Sequence, residues 1–113
     1  MSWFLDAGMM ADLKSMAWSE TETAATNTVT ATKTGVTGKV HLILGIIMSG
    51  DNAGANWALN DGATVLAQGK LPANNTVCFT TPVPMPITAG ATATLVITGA
   101  TSYCAATIWG LTY

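Results

Sequence analysis

The sequence predicts an all-β domain: a jelly-roll-like antiparallel β-sandwich with a short N-terminal helical or extended arm. Three observations carry this. Apolar or Thr-rich runs of strand length recur roughly every ten residues, with Gly, Pro, Asn and Asp between them. Several runs alternate one polar and one apolar position, the period of a half-buried strand. The chain of 113 residues is one domain in size. We assign residues 1–20 to the arm and 21–113 to the sandwich.

The arm differs in composition from the rest of the chain. Leu5, Met9, Leu13, Met16 and Ala17 recur at spacings of three and four, a helical period, and Asp6 stands where a helix cap would. A helix of about three turns is marginal alone in water, so its apolar stripe must dock on something. The residues expected to contact a partner are Trp3, Phe4, Leu5, Met9, Met10, Leu13, Met16 and Trp18. Docking on the same chain and docking on a neighbour are equally compatible with the pattern.

The strands come in order after it. In the Thr-rich run Thr21–Thr34, residues Thr28, Thr30, Thr32 and Thr34 share one strand face, and Val29 and Ala31 point the other way. Gly35 to Gly38 makes a turn. Lys39–Met48 is the most apolar run, rich in β-branched residues, and reads as a central strand covered on both faces. Ser49–Gly54 is a loop in which Asp51 favours an Asx-type turn over a calcium ligand. Ala55–Asn60 and Ala63–Gln68 flank Asp61-Gly62, which predicts a two-residue hairpin turn. That register pairs Asn60 with Ala63, Leu59 with Thr64 and Trp57 with Leu66, and sends Trp57, Leu59 and Leu66 into the core. Thr76–Thr81 is a short strand. Pro82, Pro84 and Pro86 confine the next stretch to a sheet edge or an extended connection. Thr92–Thr98 and Tyr103–Tyr113 complete about seven strands.

Composition narrows the function. Charged residues make up 9% of the chain and hydrophobic ones 50%, against roughly 25% charged in an ordinary soluble domain. A Thr-rich exterior with so few ions suits burial against neighbours. Net charge is −2, Arg is absent, and Lys14, Lys33, Lys39 and Lys70 are scattered. Nucleic acid and anionic membrane are therefore not expected partners. The N-terminus lacks a basic region before its apolar residues, so a secretory signal is not expected and synthesis in a cytoplasm is. Cys78 and Cys104 read as buried free thiols rather than a disulfide.

The supply of catalytic groups is thin. His41, the single histidine, lies in the apolar run and reads as a hydrogen-bonded core or interface residue rather than a general base. One His and two distant Cys do not make a zinc site. We expect no enzyme activity, no metal and no cofactor. Trp57 and Trp109 read first as core residues, but a Trp platform on a sandwich can stack on a sugar ring, which keeps carbohydrate binding as the alternative.

The succession Lys39-Val40-His41-Leu42, Gly54–Gly62, Phe79-Thr80-Thr81-Pro82, Ile87–Ala93 and a small-residue closing strand resembles small tailed-phage virion proteins. These are jelly-roll or sandwich domains that decorate or cement capsids, often as trimers. The resemblance covers residues 35–113 and does not extend to the arm. It implies a structural protein on the capsid surface whose partners are copies of itself and the major capsid protein or another virion protein. A carbohydrate- or receptor-binding module of a phage fibre or tail is the alternative.

Overall fold

The computed structural model describes residues 16–25, 28–50, 55–72, 75–100 and 103–113. Eight strands are present: β1 (Ala17–Ala24), β2 (Thr28–Lys33), β3 (His41–Gly50), β4 (Asn56–Asp61), β5 (Thr64–Lys70), β6 (Asn75–Pro86), β7 (Ala93–Thr98) and β8 (Cys104–Thr112). They form two antiparallel four-stranded sheets, sheet one in the order β1-β8-β3-β6 and sheet two in the order β2-β7-β4-β5. Strands from opposite ends of the chain pair in nested order, β1 with β8, β2 with β7, β3 with β6 and β4 with β5. The chain is one long hairpin, rolled so that β3–β8 and β4–β7 close each sheet. The strand spacing leads to a sandwich or a barrel, and the nested pairing makes it the expected jelly roll.

Alternation sets the two faces. On β2, Val29 and Ala31 are buried while Thr28, Thr30 and Thr32 are exposed, as the Thr pattern predicts. Beside them on the same sheet are Ala93, Leu95 and Ile97 of β7, and facing them from sheet one are Cys104, Ala106 and Ile108 of β8. On β3 the phase slips once. Ile43 pairs with Gly110 and Gly45 with Trp109, so Leu44 is an extra residue relative to β8. This bulge lets both Ile43 and Ile46 reach the interior.

The sheets are wedge-shaped in section. On one side inner alanines, Ala31 on β2, Ala93 on β7 and Ala106 on β8, are interleaved with larger residues such as Leu95, Ile97 and Ile108. There the Cα atoms of facing strands, β2 with β8 and β7 with β8, come within 8 Å. Large inner residues lie on the other side, Ile43 and Met85 on sheet one and Trp57 and Leu59 on sheet two. Bulky side chains hold facing backbones apart, since packed sheets ordinarily stand about 10 Å from each other.

Four expectations are corrected. First, β1 takes in residues 17–20, the end of the segment read as an arm. Pairing along β8, from Ala17↔Leu111 to Ala24↔Cys104, overrides the helical spacing at Ala17. Arm positions 1–15 lie outside the described residues, as does the loop at Asp51. Second, the β4–β5 hairpin turns one residue later than Asp61-Gly62 suggests. Asp61 pairs with Thr64, and Gly62, at φ 56°, opens the turn. Asp61 is held in the strand because its Oδ2 accepts hydrogen bonds from Thr88 N at 3.1 Å and Thr88 Oγ1 at 2.7 Å. The Gly62 N–H donates to Thr92 O at 2.9 Å. A bulge at Leu66 then shifts the pairing by one more residue, so that Leu59 faces Ala67 and Trp57 faces Gly69 instead of Leu66.

Third, β6 is longer than the short strand expected at 76–81 and runs through to Pro86, with its proline segment on the edge of sheet one as expected. Its proline segment loops out of the ladder between Ile43↔Met85 and Gly45↔Thr80. Pro82 and Pro84 have no N–H to give, and an edge is where such residues are tolerated. Thr81 Oγ1, 3.2 Å from both Ile43 O and Leu44 O, supplies a donor in their place. Fourth, β3 is central but is covered on one face only: Leu42 is half-buried and Ile47 is 37% exposed.

Two glycines allow close approach within sheet one. A Cβ on Gly110 would meet the Leu42 carbonyl, and one on Gly45 would meet the Trp109 ring. The first obstacle is backbone and cannot yield. Gly110→Ala is expected to cost about 2–4 kcal/mol in urea unfolding, more than ordinary overpacking because the clash is with main chain. A loss below about 0.5 kcal/mol, the scatter of neutral surface changes, would contradict this packing.

Candidate functional site

Among the described residues, the outer face of sheet one presents no ionic side chain. The register lines up Ala17, Leu111, Leu42 and Pro86 in one row and Thr21, Thr107, Ile47 and Cys78 in another. The neighbouring rows add Ser, Thr, Ala and Gly, with the Trp109 ring lying on Gly45. Thr21 and Thr107 satisfy each other through their hydroxyls at 2.9 Å, which lowers their demand for water. Glu20 and Glu22 alternate to the other side of β1, where inward charges on an edge strand discourage edge pairing. The result is a four-strand surface of apolar and hydroxyl groups with the Cys78 thiol exposed upon it.

The thick side of the wedge holds an apolar cleft of about 250 Å³. Ile43 and Ile46 form its floor on β3, Leu59 and Ala67 its roof on sheet two, and Met85 and Phe79 its wall on β6. Trp57 and Phe79 face each other across the two sheets, ring centroids 6.0 Å apart and tilted by 32°. Phe79 is 46% exposed, so this aromatic pair stands at the mouth. Thr81 also lines the cleft, but its hydroxyl is turned to the β3 carbonyls. Such a site can take up an apolar side chain or alkyl group. It carries no convergent polar groups for chemistry.

A shallower recess of about 310 Å³ shares Trp57 as a wall and adds Asn56, Gln68, Gly69 and Lys70. Gly69 permits it: a Cβ there would lie 2.9 Å from the indole Nε1 of Trp57. Lys70 Nζ donates to Asn56 Oδ1 at 3.3 Å. Amide and ammonium groups beside an indole are the components of a sugar-stacking platform.

His41 is 1% exposed and both of its ring nitrogens are engaged. Nε2 lies 2.9 Å from the Thr34 carbonyl, which can only accept, so Nε2 carries the proton. Nδ1 then accepts from the Thr112 hydroxyl at 2.6 Å. The Trp18 ring stands edge-on to the imidazole at 5.8 Å, and Lys33 Nζ lies 5.3 Å from the Trp18 ring centroid. The imidazole ties β3 to the segment after β2 and to the end of β8. Among the described residues no cluster of three or more His, Cys, Asp or Glu could hold a metal ion.

Of the expected partner-binding residues, Met16 and Trp18 are described, and Trp3, Phe4, Leu5, Met9, Met10 and Leu13 are outside the described set. Trp18 packs against the core from β1. Neither cysteine is in a disulfide; Cys104 is buried, whereas Cys78 is exposed because it faces outward from edge strand β6. Sequence reasoning missed Phe79 and Met85. The signal was present in the alternation of Cys78 and Phe79, but which face of an edge strand points inward depends on register.

Replacing His41 by Phe keeps an aromatic ring, though a larger one, and removes both hydrogen bonds, leaving the Thr34 carbonyl and the Thr112 hydroxyl without this partner. The expected cost is about 2–4 kcal/mol of unfolding free energy. An unchanged urea midpoint would show that the imidazole is not the tie described here.

No family model and no curated protein matches the chain. Solved structures do. A crystal structure of PirA aligns at 16% identity and a TM-score of 0.46 over 82% of this chain and 93% of that one. Dimeric latent PorU from Porphyromonas gingivalis aligns at 10% identity and a TM-score of 0.36 over 85% of this chain and 13% of its own length. At these scores neither likeness bears on function.

Proposed function

We propose that this domain is a structural virion protein, a capsid decoration or cement protein that binds the capsid exterior and stabilises it by protein–protein contacts. It works as a homotrimer and uses no cofactor, metal or catalytic residue. The observation that supports this reading is the outer face of sheet one. A central strand whose outward positions include Leu42 and Ile47, in a face that among the described residues carries no ionic side chain, has the composition of an interface core rather than of a solvated exterior. A face four strands wide and up to ten residues long, at about 4.8 Å per strand and 3.3 Å per residue, covers on the order of 600 Å². That approaches the roughly 800 Å² each partner contributes to a standard interface. The resemblance of residues 35–113 to tailed-phage virion proteins points the same way.

A second reading rests on a separate observation, the Trp57 recess with Asn56, Gln68 and Lys70 at its rim. In that reading the domain is a carbohydrate- or receptor-binding module of a phage fibre or tail. Binding on a glycan array that disappears in Trp57→Ala, with the fold intact, would favour it over the first.

The first reading is tested by sedimentation. The purified chain is expected to sediment as a trimer, and the double variant Ile47→Lys, Thr107→Lys as a species whose association is weakened at least about a hundredfold, since two charges must be desolvated at the contact. A wild-type chain that is a monodisperse monomer and adheres to no particle would refute the proposal.

A further inference from the structure

We infer that the apolar cleft on the thick side of the sandwich is a socket for a second copy of this chain, and that the group it receives is the Val83 knob of β6. This names a contact within the self-association proposed above and rests on that part of the reading; it is independent of the capsid.

The knob is built by the irregularity of β6. Between Thr80, which pairs with Gly45, and Met85, which pairs with Ile43, four residues of β6 stand against the single residue Leu44 of β3. The surplus chain bows out of the ladder. Thr81 ties one foot of the bow to the Ile43 and Leu44 carbonyls, and Met85 returns the other foot to the ladder. Pro82 and Pro84 fix φ on either side of Val83. Val83 is left 73% exposed, the highest value among the exposed large hydrophobic residues described. A bow held at both feet and stiffened by two prolines loses little freedom when its apolar tip is bound.

The socket adjoins the knob. Thr81 and Met85, at the feet of the bow, line the cleft, but Val83 is not one of its walls, so the knob does not fill the socket of its own chain. The cleft's volume of about 250 Å³ exceeds the roughly 150 Å³ of an engineered apolar cavity that takes up benzene, which leaves room for a valine side chain and the edge of a proline ring. Its lining residues carry no charge, and the Thr81 hydroxyl is spent on β3, so the insert it fits is apolar and uncharged.

Knob and socket thus sit side by side on the β6 edge of every copy. Along the bow that edge is barred from pairing as a strand, because Pro82 and Pro84 offer no donors, so copies meet there through side chains. Passing one knob into the next copy's socket is a heterologous contact, which closes into a ring in a trimer. β6 also carries Cys78, in one row with Ile47, so the contact is continuous with the outer face of sheet one.

The test compares the full chain with two variants that damage opposite halves of the contact. Val83→Asp puts a charge on the knob. Ala67→Phe fills the socket from β5 and leaves the knob intact. Both are read by sedimentation across a dilution series, with urea unfolding to check that each still folds. Each is expected to weaken association at least about tenfold. Wild-type protein supplies a third measurement. A sample mixed from copies with ¹³C-labelled Val methyls and copies with ¹³C-labelled Ile and Leu methyls is expected to show a nuclear Overhauser contact from Val83 to Ile46 or Leu59, which arises only between copies. A wild-type chain that is monomeric at every concentration removes the self-association reading together with this contact. Unchanged association in either folded variant removes this contact alone. Val83 contacts to Leu42 in place of Leu59 seat the knob on the outer face of sheet one and overturn the inference as well.

Discussion

The two sheets stand at unequal distances along their two seams, and most of the molecule's surface chemistry derives from that. Alanines at Ala31, Ala93 and Ala106 let β2, β7 and β8 close tightly. Ile43, Leu59, Trp57 and Met85 prevent the same closure on the other side. A jelly roll needs inner positions filled by side chains that fit its taper. Here the taper runs out before β5 and β6 meet, and the unfilled remainder is the apolar cleft. The bulge at Leu44 and the looped prolines of β6 serve the same packing. They keep Ile43, Ile46 and Met85 pointing inward along a seam where regular ladders would have turned one of them out.

The outside of the molecule is governed by a different rule. Ionic side chains are few, and the register keeps them off sheet one's outer face. Glu20 and Glu22 fall on the inner phase of β1, while Ser19, Thr21 and Thr23 fall on the outer. A one-residue slip of β1 would exchange the two sets. The His41 tie, joining Thr34 and Thr112, holds the beginning of β3 and the end of β8 in their present relation. A buried polar network thus fixes a face that has little affinity for water.

Much of this was legible in the residues themselves. Alternation at Thr28 to Thr32, the apolar run before Met48, and the glycine and proline punctuation led to a sandwich of the right class. The reading of His41 as a satisfied interior residue came from its apolar neighbours. What was illegible depended on long-range pairing. Asp61 looked like a turn residue because its demand for Thr88, which holds it in β4, cannot be seen locally. Ala17 looked helical because its partner Leu111 lies at the other end of the chain. The uncovered outer face of β3 and the cleft behind Phe79 emerge only once two sheets are placed together. An apolar run does not say how many of its faces will be covered.

The sheet-one face carries its own reporter, since Cys78 stands exposed in the same row as Ile47 while Cys104 is buried. The rate of alkylation of Cys78 by a neutral maleimide, measured across a dilution series, reads whether that face leaves water when protein meets protein. The rate is expected to fall at least about tenfold as concentration rises through the association midpoint, the factor that about 1.4 kcal/mol of burial provides. A rate independent of concentration, in a sample shown to be associated, would mean that this face stays wet and that the contact lies elsewhere.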